Sequence, residues 1–189
     1  MLFYAMYAYL FSAVAAAFNQ FFLLYVATFG LPLYALLIAV PRLDVTRLGA
    51  SMRGRAARVV AIAYTSLVAS GLGLLWVGLS LSYLVTDKVP QPIVDSGHPT
   101  GVVFAIDLVF IVPPMLLAAV WLTRRQAIGW ALAGVMSVGG GLYTLSLAAA
   151  SVEVAREGVG AGSELPIWSG LTVLGIVTVA LLGSGLQRG

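Results

Sequence analysis

One acidic side chain lies inside an apolar stretch long enough to cross a lipid bilayer. Asp107 falls five residues after Val102 in the segment 102–125, which reads VVFAIDLVFIVPPMLLAAVWLTRR. At 1.5 Å per residue, Asp107 is about 7–8 Å along a helix that begins there. An ionised carboxylate costs roughly 2.5–3.5 kcal/mol at the bilayer centre and less near an interface. We therefore expect Asp107 to be neutral, paired with a polar group, or in contact with a water-filled cavity.

The partners of Asp107 must be neutral, because the predicted spans contain no lysine or arginine. The candidates for a ligand or proton site around the acid are Tyr7, Asn19, His98 and Tyr143. His98 lies in the loop that precedes the acidic span, and a histidine can change its charge near neutral pH. The alternative for His98 is a solvated loop residue. The alternative for Asp107 is a structural acid that is hydrogen-bonded to a neighbouring helix.

Two adjacent prolines, Pro113 and Pro114, interrupt the same span near its centre. Each proline lacks a backbone N–H, and the residue before a proline disfavours the α conformation. Broken helices of this kind line substrate sites in transporters. A kink that serves helix packing alone is the other interpretation.

The amino-acid composition predicts that this chain lies in a lipid bilayer. Hydrophobic residues make up 61% of its 189 residues and charged residues 9%, whereas soluble domains carry about 25% charged residues. We therefore predict one integral membrane domain over residues 1–189. The chain has no cysteine and one histidine, so we predict no metal site and no cofactor. The expected partners are the lipid bilayer, and other membrane proteins or further copies of the chain; nucleic acid is not expected.

The apolar segments predict an all-α, polytopic transmembrane helical bundle of six spans. The first segment is too short for the roughly 30 Å hydrocarbon core, so we expect the natural chain to begin upstream of Met1. Small residues recur every fourth position at Thr65, Ala69 and Gly73, and such faces favour close helix packing. The same spacing recurs at Gly129, Ala133, Ser137 and Gly141. The predicted spans are 2–17, 20–40, 59–85, 102–122, 128–151 and 167–184.

Basic residues follow an alternating pattern that predicts the orientation. They concentrate between spans two and three, after span four and at the end of the chain, at Arg42, Arg47, Arg53, Arg55, Arg58, Arg124, Arg125 and Arg188. Segments rich in Lys and Arg stay in the cytoplasm. We therefore predict a multi-pass protein of the cell (inner) membrane with both termini cytoplasmic.

The first forty residues carry a resemblance. An aromatic first helix runs into Ala16-Ala17-Phe18-Asn19, the next span opens with FFLLYVA at 21–27, and LPLYALL follows at 31–37. With the acid of Ile106-Asp107-Leu108, this pattern resembles a group of small multi-pass bacterial membrane proteins. The resemblance implies a helical membrane protein with further sequence ahead of the first helix. It assigns no catalytic residue.

These features favour a protein without enzymatic activity. The sequence contains no serine-protease GxSG motif, no HExxH and no pair of intramembrane acids. We predict a membrane-embedded structural, accessory or interaction protein. The alternative is a small transporter or channel for protons or a small solute, which would use Asp107 and the Pro113-Pro114 break. A lipid-modifying enzyme with His98 and Asp107 at an outer-face site would need a third polar group that the sequence does not identify.

Overall fold

The apolar segments fold as helices, because in lipid every backbone N–H and C=O must be satisfied within its own segment. The structure is a computed structural model, and it describes residues 1–47, 54–157 and 164–186. Arg53 and Arg188 of the predicted basic pattern lie outside these residues. The helices are α1 (Leu2–Ala15), α2 (Phe22–Ala39), a 3-10 turn (Val40–Arg42), α3 (Arg55–Thr86), α4 (Gln91–Ser96), α5 (Val102–Phe110), α6 (Val112–Thr123), α7 (Ala127–Arg156) and α8 (Leu165–Leu186).

Five stretches among the described residues are long and apolar enough to cross a membrane. The membrane-protein class is therefore supported, but the prediction of six spans is not confirmed. The first predicted span, 2–17, folds as α1 with 14 residues, about 21 Å of helix. That length falls short of the hydrocarbon core. The five stretches are Phe22–Arg42, Arg55–Thr86, Val102–Thr123, Ala127–Arg156 and Leu165–Ser184.

The chain divides into two compact units. The first unit contains Met1 with residues 44–65 and 118–189, and the second contains residues 2–43 and 66–117. The division falls within α3 and within α6, so each of these helices contributes to both units. The prediction of a single integral membrane domain stays a prediction.

Small residues form the core of the first unit, where α7 packs along α8. A buried cluster combines four alanines with Leu122, Trp130 and Leu182; the alanines are Ala57, Ala61, Ala118 and Ala133. The predicted small-residue face of α7 is confirmed, since Gly129, Ala133 and Ser137 are buried. A Cβ built on Gly175 of α8 would lie 3.1 Å from the Cα of Gly141. These helices therefore approach to backbone contact.

The turn between α6 and α7 is a tight connection of three residues. The Gln126 N–H donates to the Trp121 carbonyl at 2.8 Å, and the Arg125 N–H donates to the Leu122 carbonyl at 3.1 Å. This pair of bonds is the Schellman arrangement, in which the residue after the helix cap is left-handed. Here that residue is Arg125, with φ 58°. A Cβ on Gly129 would lie 2.7 Å from the Leu122 backbone nitrogen, so only glycine fits at that position.

Replacing Gly129 with alanine tests this turn. We expect Gly129→Ala to destabilise the protein by about 1–3 kcal/mol, because the backbone of α6 must move away from the new methyl group. Gly134→Ala on the same helix is the matched control, since a Cβ there meets no atom within 4 Å. The control should be neutral or gain up to about 1 kcal/mol from helix propensity. Unfolding titrations in mixed micelles measure both; equal stabilities would contradict the packing described.

The second unit contains the double proline. Helix α5 ends at Phe110 and α6 begins at Val112, with Ile111 between them. Pro113 and Pro114 thus fall in the first turn of α6, where backbone N–H groups have no intrahelical acceptor. The Ile111 N–H donates to the Asp107 carbonyl at 3.0 Å, and the Met115 N–H donates to the Ile111 carbonyl at 3.1 Å. These two hydrogen bonds connect α5 to α6 across the interruption.

Candidate functional site

The Asp107 side chain is fully buried in the second unit and uses both carboxyl oxygens. Its Oδ1 accepts a hydrogen bond from the Tyr7 hydroxyl, and its Oδ2 accepts one from the Trp76 indole N–H at 2.9 Å. Tyr7 lies on α1, Trp76 on α3 and Asp107 on α5. The three residues, called the Asp107 network below, therefore join three helices through one carboxyl group.

An aromatic stack supports the network. The ring of Phe104 lies parallel to the Trp76 indole, with centroids 4.2 Å apart and an interplanar angle of 16°. Phe104 precedes Asp107 by three residues, so both side chains lie on one face of α5. The stack fixes the plane of the indole. Its N–H is thereby held toward the carboxyl oxygen.

The chemistry open to this arrangement is limited by its donors. An indole N–H can only donate, and a tyrosine hydroxyl can donate or accept. Both donors are neutral, so the carboxyl group has hydrogen-bond partners but no countercharge in its network. A general acid or base must reach the proton that it transfers, and the Asp107 side chain is 0% exposed with one donor on each of its oxygens. The geometry is that of an interhelical hydrogen-bond site.

Of the predicted partners, Tyr7 bonds to Asp107, whereas Asn19 and His98 contact other residues. Asn19 is exposed in the turn between α1 and α2, where its Nδ2 donates to the Ala17 carbonyl at 3.0 Å. Its Oδ1 accepts from the Phe21 N–H at 2.8 Å, so the side chain builds the turn. The His98 ring packs edge-on against Phe11, with centroids 5.8 Å apart. Tyr143 lies half-buried on α7, in the other unit.

Trp76 is the residue that the sequence interpretation missed. Tryptophan is enriched at membrane interfaces, whereas Trp76 sits two thirds of the way along the 32-residue helix α3. A buried indole N–H usually has a hydrogen-bond partner. The presence of a tryptophan and an acid in the interiors of two apolar helices is therefore the sequence signal that could have identified this pair.

The first unit holds a second set of buried polar groups. Thr172 of α8 donates to the Thr144 hydroxyl of α7 at 3.0 Å. The hydroxyl groups of Tyr64 and Ser137 are buried and have no partner among the described residues. Tyr64 lies against Gly175, where a built Cβ would be 3.2 Å from its hydroxyl oxygen. Unsatisfied hydroxyls of this kind lower stability. The close contact between helices in this region therefore comes with two hydroxyl groups that lack hydrogen-bond partners among the described residues.

Comparison with protein-family models, with curated proteins and with solved structures finds no match to this chain. Within the ranges that the structure describes, no group of three or more His, Cys, Asp or Glu side chains is placed to hold a metal ion.

Removing the Tyr7 hydroxyl tests the network. We expect Tyr7→Phe to lower the free energy of unfolding by about 1 kcal/mol, because one carboxyl oxygen loses its donor. Tyr9→Phe on the same helix is the matched control, since that side chain is 39% exposed. Asp107→Leu should cost more, about 2 kcal/mol, because both donors then lose their acceptor. A Tyr7→Phe protein as stable as Tyr9→Phe in mixed-micelle unfolding would contradict the network.

Proposed function

We propose that this chain is a non-enzymatic, multi-pass membrane protein with a structural, accessory or interaction role. The observation that carries the proposal is the use of the buried acid. Both oxygens of Asp107 hold neighbouring helices through Tyr7 and Trp76. An acid that is 0% exposed and engaged in this way supports a role in positioning helices.

The exposure of α2 supports an interaction role. None of its 18 residues is buried, and the helix packs along α1 on one side. Its other faces present large apolar side chains such as Leu23, Leu31 and Tyr34. In a bilayer, association of such a surface depends on packing against lipid or against another helix. The proposed partners are therefore the lipid bilayer and, in the plane of the membrane, other membrane proteins or further copies of the chain.

The alternative function is a small transporter or channel for protons or a small solute. The observation that favours it is the position of the helix interruption, four residues after Asp107. The Ile111 N–H at this interruption donates to the Asp107 carbonyl. A change in hinge angle at Ile111 would therefore move the acid, as gating requires.

Proton flux separates the two functions. The protein is reconstituted into liposomes loaded with a pH-sensitive dye, and the decay of an imposed pH gradient is followed. The structural role predicts that wild type and Asp107→Asn both match empty liposomes. The asparagine amide can accept from Trp76 and donate to the Tyr7 oxygen, so this variant should fold. A wild-type flux above background that Asp107→Asn abolishes would establish the transport alternative.

We also propose a cell (inner) membrane location with both termini in the cytoplasm, in a bacterial host. The support is the basic pattern that includes Arg42, Arg55 and the Arg124-Arg125 pair. This orientation places the loop at residues 87–101 outside. It also requires α1 to cross the membrane.

Reporter fusions test the orientation. A fluorescent protein fused after Gly189 should fluoresce, and alkaline phosphatase fused after Gly97 should be active. Fluorescence reports a cytoplasmic position and phosphatase activity an external one. An inactive phosphatase at Gly97, combined with active phosphatase after Arg125, would reverse the proposed orientation.

A further inference from the structure

A cavity of about 520 Å³ lies in the second unit, where α3 ends and α5 begins. The segment between these helices, including α4, forms its remaining wall. Pockets of roughly 300–1,000 Å³ hold small molecules. The cavity is separate from the two carboxyl oxygens of Asp107, and the proposed function does not use it.

The wall of the cavity is mostly apolar. Ile93 of α4 and Phe104 and Leu108 of α5 line it. Gly101 permits this closure, since a Cβ there would lie 3.0 Å from the Phe104 ring and 3.2 Å from the Ile93 methyl group. A long apolar group fits such a wall. It would lie against Phe104, whose ring also stacks on Trp76.

Three hydroxyl-bearing side chains provide the polar part of the lining, and one of them, Ser80, already donates to the Trp76 carbonyl at 2.7 Å. Tyr83 and Thr100 line the cavity, and their hydroxyls form no hydrogen bond with any residue that the structure describes. Tyr83 is 42% exposed. None of the residues that line the cavity is charged. The lining therefore matches a ligand with an uncharged, hydroxyl-bearing end.

The position and charge of the surrounding loop further restrict the class of ligand. Tyr83 lies in the last turn of α3, and Thr100 directly precedes α5, so the polar part lies where two apolar helices meet their loop. That level corresponds to the lipid headgroups. The adjoining loop carries Asp87 and Asp95 against Lys88, a balance that disfavours an anionic headgroup.

We propose that this cavity binds an uncharged amphiphile of the bilayer, with one apolar chain and a hydroxyl-bearing head of the monoacylglycerol type. The chain lies along Phe104, Ile93 and Leu108. The head hydroxyls bond to Tyr83 and Thr100. Because Phe104 contacts both the chain and Trp76, the Trp76 fluorescence reports occupancy.

The test is a fluorescence titration of the purified full-length chain in micelles with a monoacylglycerol that carries a dibrominated acyl chain. Bromine quenches a nearby indole, so we expect saturable quenching in the wild type and loss of this component in Trp76→Phe. Ala105→Phe fills the cavity and should weaken binding at least about 10-fold. Val109→Phe is the matched control on α5, because Val109 is 60% exposed and does not line the cavity; it should bind as wild type does.

A second variant tests the proposal if Ala105→Phe does not fold. The double substitution Tyr83→Phe with Thr100→Val keeps the shape of two exposed side chains and should weaken binding about 3- to 10-fold. Quenching that rises linearly with brominated lipid and is equal in all variants would overturn the proposal, since it reports partitioning into the micelle. Brominated phosphatidylglycerol that saturates at the same concentration would also overturn it, because the site would then accept a charged headgroup.

Discussion

A carboxyl group in the interior of a membrane protein must keep its hydrogen bonds, and the second unit is built around this constraint. In hydrocarbon, each unsatisfied polar group costs several kcal/mol, so a buried carboxyl group is stable only where neighbouring side chains donate hydrogen bonds to it. Asp107 obtains two donors from two other helices, Tyr7 of α1 and Trp76 of α3. The contacts among α1, α3 and α5 follow from that requirement, and the Phe104 stack holds the indole in place.

The first unit solves the packing problem differently. Its helices carry alanine and glycine at their contacts, and Gly141 and Gly175 bring two backbones together. In lipid, such packing supplies what the hydrophobic effect supplies in water. The close approach leaves the Tyr64 and Ser137 hydroxyls buried without a partner among the described residues. One unit therefore relies on directed hydrogen bonds, and the other relies on close contact between small residues.

The sequence predicted features that depend on one helix at a time. The positions of five of the six predicted spans, the small-residue face of α7 and the interruption near Pro113 all follow from spacing along the chain. The pairing of Asp107 with Tyr7 was one of several candidates, and Trp76 was missed. Spacing shows which face of a helix is polar, but it does not show which distant helix that face meets. Asn19 and His98 illustrate this limit, because Asn19 bonds within its own turn and the His98 ring packs against Phe11 of α1. The shortness of α1 was visible in the sequence, whereas the division into two units was not.

The turn at Arg124-Arg125 has a consequence for how the chain is made. Only three residues separate α6 from α7, and the Gly129 backbone lies against that of Leu122. A connection this short leaves neither helix free to enter the bilayer far ahead of the other. We therefore expect the two helices to enter the membrane as one hairpin with the arginine pair at its tip. On this expectation, assembly of the first unit begins with a preformed helix pair, to which α3 and α8 are added.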